Sequence, residues 1–71
     1  MDIEFSLREN EDYIPLIQLL KAVNIASSGS QAQMMVINGD VKLNNETEFR
    51  KRAKIRREDV VLAYGKKITV K

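Results

Sequence analysis

The stretch Ser28–Asn45, SGSQAQMMVINGDVKLNN, decides how the chain folds. Ser28 offers the side-chain oxygen of an N-cap, which accepts from one of the first free amides of a helix. Gln31 stands where it can reach back to the Ser28 amide, completing a capping box. Ala32, Met35 and Val36 follow at i, i+3, i+4 spacing, with Met34 and Ile37 widening the apolar face. Gly39 supplies a residue able to take positive φ just past the last turn, where so short a helix should end. Val41 and Leu43 then alternate with Lys42 as in a half-buried strand, and Asn44-Asn45 can turn the chain back.

Working outward, Ile3, Phe5 and Leu7 alternate with Glu4 and Ser6, which predicts a strand with one buried face. Arg8–Asp12 is polar and reads as a loop. Pro15 suits the first turn of a helix, and Leu16, Leu19, Leu20 and Val23 form the stripe of a helix over Ile14–Val23. Asn24 can end that helix in a left-handed conformation, so two amphipathic helices joined by a short link must pack together. Beyond the turn, Thr47-Glu48-Phe49 is a return segment with Phe49 expected to close one side of the core. Ala53 and Ile55 are expected to point inward from an extended segment. Glu58-Asp59 reads as a turn, Val60–Tyr64 as a strand, Gly65-Lys66 as a tight turn and Ile68–Val70 as a last strand. Pairing of Ile3–Leu7 with Ile68–Val70 would tie the two ends together. The order is β-α-α-β-β-β-β, an α+β class with two short packed helices against one small, mostly antiparallel sheet.

Composition narrows the function. The 71 residues make one small domain, spanning 1–71, with no cysteine and no histidine. Zinc fingers, thiol chemistry and histidine-based acid–base catalysis are thereby excluded, and a reducing cytoplasm is expected. No basic leader and no apolar run of bilayer-spanning length occurs, so a soluble protein without membrane contact is expected. The formal charge of +2 conceals an asymmetry: residues 1–41 carry −4 and residues 42–71 carry +6. Six of the eight residues in Arg50-Lys51-Arg52-Ala53-Lys54-Ile55-Arg56-Arg57 are cationic, with no acid among them. Surface runs are commonly cationic for solubility alone, but so concentrated an excess points to a polyanion. Four are arginines, whose planar fork grips phosphate and stacks on bases.

The order Ser28, Ala32, Val36, Gly39, Val41, Leu43, Asn44 resembles the core of the S4 RNA-binding domain, with Leu19-Leu20-Lys21 upstream and Asp59-Val60-Val61 downstream in matching places. Gln-Leu-Leu-Lys, the Ser-Gly stretch and Glu-x-Arg-Lys-Arg look closest to the small stand-alone bacterial S4-like proteins, the YbcJ/YaaA-like group. The resemblance covers Ile14–Gly65. It implies a non-catalytic module, the S4-like αL motif, that binds structured RNA such as ribosomal or transfer RNA. S4 domains commonly place an arginine right after the motif serine; here that position is Gly29, the exposed helix positions hold Gln31 and Gln33, and the turn residue that is often glycine is Asn45. The positive charge lies instead in the loop after the hairpin.

Arg50, Lys51, Arg52, Lys54, Arg56 and Arg57 are accordingly expected to supply most of the affinity, by phosphate neutralisation and counterion release. Lys42, Asn44, Asn45 and Gln33 surround the frame with polar side chains. Ser28 and Gln31 serve as caps first and as RNA contacts second. Phe5, Tyr13, Phe49 and Tyr64 lie in or beside apolar patterns, so core or rim packing is expected of them and recognition by shape rather than by base stacking. Glu46, Glu48, Glu58 and Asp59 sit among cations that lower carboxyl pKa values, a poor setting for a general acid. No cofactor or metal is implied. DNA is the weaker ligand, since neither helix carries a basic, base-reading face. An alternative partner is a protein whose acidic surface docks on the basic loop.

Overall fold

The computed structural model describes residues 2–71. Its elements are β1 (Asp2–Phe5), β2 (Ile14–Pro15), α1 (Leu16–Ala22), α2 (Gly29–Ile37), β3 (Val41–Leu43), β4 (Glu46–Thr47), β5 (Lys54–Ile55), β6 (Val60–Ala63) and β7 (Lys66–Val70).

The helix-to-hairpin stretch folds by local rules. The Ser28 hydroxyl accepts from the Gln31 amide at 3.1 Å. Gln31 reaches back one residue further than expected: its Oε1 accepts from the Ser27 amide and hydroxyl, so the box closes on Ser27 instead of Ser28. At the other end Gly39 takes φ 79°. The Gly39 amide donates to Val36 and the Asp40 amide to Met35, a Schellman closure. Asn44 and Asn45 both have positive φ, 51° and 73°, giving the type I′ turn that suits the twist of a hairpin.

The main sheet has the order β1-β7-β6-β3-β4. β1 lies parallel to β7 and ties the two ends of the chain together, and the other pairs are antiparallel. Its inner face, with Val41, Val61, Ile68 and Val70 fully buried, shares one core with Leu16, Leu19 and Leu20 of α1 and Ala32, Met35 and Val36 of α2. Its outer face is open: the register sets Asp2, Lys67, Leu62, Lys42 and Thr47 side by side across the strands. No side chain buried in the core is polar among the described residues.

Four further expectations are corrected. The first helix begins at Leu16, because Ile14-Pro15 pairs with Lys54-Ile55 in a separate two-stranded ladder. Pro15, at φ −61° and ψ 141°, precedes the helix as its cap, and the first helical amide, Leu16, donates to Ala53. This ladder is a second sheet beyond the single one expected, and β2 and β5 add to the element order. The β6–β7 turn is Tyr64-Gly65 rather than Gly65-Lys66, since a type I′ turn needs two central residues of positive φ and these have 51° and 75°. Phe49 does not close the core; it is 63% exposed. The chain leaves the sheet after the Glu48 amide bonds Val41, and the side chain that follows falls outside the apolar layer.

Candidate nucleic-acid interface

Ala53 and Ile55 are buried, at 4% and 0% exposure, and they anchor the cationic run. Ile55 pairs with Ile14, and the Ala53 carbonyl caps α1. With these two turned inward, Arg52, Lys54 and Arg56 alternate outward. The run is therefore a displayed segment fixed at the start of α1.

Its six cations divide by partner. Arg50 is clamped to Glu48: Nε donates to Oε2 at 3.0 Å, Nη2 to Oε1 at 3.1 Å, and the Arg50 amide to Oε2 at 3.0 Å. Those hydrogen bonds hold the Glu48 carboxyl below its ordinary value against the opposing effect of partial burial, and the carboxylate in turn raises the Arg50 guanidinium. Lys54 holds its ammonium 5.1 Å from the centroid of the Tyr13 ring, a cation–π placement. The Arg57 fork donates to the carbonyls of Glu11 and Arg8, both at 2.8 Å, and so staples the turn that follows β1. Lys51, Arg52 and Arg56 are exposed, and among the described residues their side chains have no hydrogen-bond or ion-pair partner.

Arg52 lines a shallow depression with Pro15, Ile17, Gln18 and Gln33. Gln33, expected only among the polar residues around the frame, thus lies beside Arg52 of the loop, and Gln18 joins as a residue not singled out from the sequence. Its signal was the polar position on the first helix, which becomes informative only once β2–β5 pairing brings the loop there. Lys42 is elsewhere. It projects from the open sheet face, next to Leu62 and in line with Lys67, opposite to the helices. Asn44 is a structural tie: its Oδ1 accepts from the Val60 amide at 2.9 Å and its Nδ2 donates to Asp59 at 3.2 Å. Asn45 is exposed at the hairpin tip, and Ser28 and Gln31 are occupied as caps. The aromatic expectation also changes, since Tyr13, Phe49 and Tyr64 are exposed at 40%, 63% and 57%.

Among the described residues no group of acidic side chains is placed to hold a metal ion, and no helix is long and apolar enough to cross a membrane.

A helix pair laid on one face of a mostly antiparallel sheet, with a cationic loop anchored at the start of the first helix, makes a small α+β module. The S4 domain profile matches residues 5–71, and the chain belongs to the S4 domain family. It is similar to YbcJ from E. coli, with 34% identity over 94% of this chain and 84% of that one and a TM-score of 0.72. The solution structure of YbcJ is described as revealing an αL motif involved in RNA binding. No curated protein matches the chain.

Proposed function

We propose that this S4 domain is a cytoplasmic binding module, without a catalytic step, that takes structured RNA on the loop 50–57 and the adjoining depression. The observation that carries the reading is the set of exposed cations Lys51, Arg52 and Arg56, without a side-chain partner among the described residues, on a loop whose Ala53 and Ile55 are buried. Cations with no protein partner are available to phosphate at little cost, and a buried anchor presents them in fixed register. Gln18 and Gln33 beside Arg52 add neutral donors for a sugar hydroxyl or phosphate oxygen. Family membership and the RNA-binding motif described for YbcJ support the choice of RNA. The exposed face of α2 carries Gln33, Met34 and Ile37 and no cation, which disfavours reading of a DNA major groove.

The test is fluorescence anisotropy with an RNA stem-loop, a DNA duplex of matched sequence and several salt concentrations. Contact with about four phosphates gives a slope of log K against log[salt] between about −3 and −4. Preference for the RNA with such a slope is the expected result. A flat salt response, or equal weak binding to both nucleic acids, overturns the proposal.

A further inference from the structure

Phe49 stands directly before the cationic loop and keeps 63% of its surface in water. It is the most exposed large apolar side chain among the described residues. Its position is nevertheless fixed from both sides. The preceding amide, Glu48, is bonded to Val41 of β3. The Glu48 carboxylate then takes the amide and the guanidinium of Arg50, so one clamp brackets the aromatic residue. The ring edge is seated over Gly39, where Cε1 and Cζ lie 3.5 and 3.7 Å from the place a β-carbon would occupy. A ring that is held in place yet left open forgoes hydrophobic stabilisation without gaining mobility.

The other exposed aromatics are less suited to meet a base. Tyr13 already faces the Lys54 ammonium. The Tyr64 hydroxyl points to the Asp40 carboxylate at 3.5 Å, a setting that repels a phosphate chain. Next to Phe49 in the chain, the Glu48 carboxylate is paired with Arg50, and Lys51 and Arg52 follow. An open aromatic face next to cations that track a backbone is the pairing by which proteins bind single-stranded nucleic acid.

Resting on the RNA reading above, we infer that Phe49 is a stacking platform for an unpaired base. The preferred ligand is then an RNA duplex with single-stranded nucleotides next to the phosphates held by Lys51, Arg52 and Arg56.

The experiment compares a blunt RNA duplex with the same duplex bearing a single-stranded overhang, using the natural protein and the Phe49→Ala, Phe49→Tyr and Phe49→Trp variants. The natural protein should favour the overhang. Phe49→Ala should lose roughly 5- to 150-fold in affinity for it, bind the blunt duplex unchanged and keep the same salt slope, since stacking releases no counterions. Phe49→Tyr should retain the preference. The protein has no tryptophan, so Phe49→Trp carries a single indole whose emission should be quenched by the overhang RNA alone. If Phe49→Ala still binds both duplexes as the natural protein does, or the emission of Phe49→Trp is indifferent to the overhang, the platform is overturned while salt-dependent RNA binding stands. If neither duplex binds with salt-dependent affinity, both proposals fall together.

Discussion

Lys51, Arg52 and Arg56 share one run of eight residues with Arg50, Lys54 and Arg57, and the two sets carry equal charge. The fold uses them differently. Arg50, Lys54 and Arg57 are engaged with Glu48, the Tyr13 ring and the carbonyls of Arg8 and Glu11. The side chains of the other three are exposed and have no hydrogen-bond or ion-pair partner among the described residues. A guanidinium that already satisfies two carbonyls gains less from a phosphate, because it must surrender bonds of the same kind. Charge in a sequence counts cations; affinity depends on how many remain uncommitted after folding.

That contrast can be broken by removing three charges from either set. K51S/R52S/R56S should weaken stem-loop RNA binding roughly 100-fold at about 0.1 M salt and flatten the salt slope by about three, with an unchanged urea midpoint. R50S/K54S/R57S removes as much charge but should cost about tenfold or less in affinity. Equal losses in anisotropy titrations of the two variants would mean that the loop acts as a diffuse charge cloud.

Arg57→Ala alone tests the structural role of the engaged set. Two charge-assisted hydrogen bonds disappear from an exposed turn where water can replace them, so unfolding stability should fall by about 1 kcal/mol. Urea titration followed by circular dichroism would register the change, with RNA affinity scarcely moved.

The smallest effect concerns pH. Arg50 depresses the Glu48 carboxyl below its ordinary 4.5. A depressed carboxyl contributes stability above its unfolded-state value and loses it as pH falls through the lower folded-state value. The natural protein should therefore exceed Glu48→Gln in urea midpoint by a small constant amount above about pH 5. The gap should close progressively below pH 4.5. A gap that persists in acid would assign Glu48 a role other than its pairing with Arg50.

The elements that could be read in advance are those whose causes are local. Ser28, Gly39, Asn24 and the Asn44-Asn45 pair occupy the positions their backbone preferences suggest, as φ values of 62° at Asn24 and 79° at Gly39 attest. Inward pointing of Ala53 and Ile55 was legible from alternation, and so was the pairing of the two ends of the chain. The start of α1 was misplaced because Ile14 continues a good apolar stripe. Nothing near it in sequence announces a ladder with Ile55. Phe49 was misread for a related reason: an aromatic after a strand commonly packs inward, and only the Glu48–Arg50 clamp and the exit of the chain from the sheet place it outside. Of the candidate interface, the presence of a cationic run was evident, whereas Gln18 beside Arg52 and the division of the cations were not.

The amino-acid sequence by itself determined the helix pair, the glycine stop, the asparagine turn and the presence of a cationic loop, because capping, left-handed backbone preference and apolar periodicity act within a few residues. Tertiary structure alone decided which cations are spent and which remain. Arg57 finds its carbonyls 46 and 49 positions away, and Ile55 its strand partner at Ile14. Such partners become neighbours only when the core has formed, so burial and long-range hydrogen bonding, rather than composition, set the surface left for a ligand.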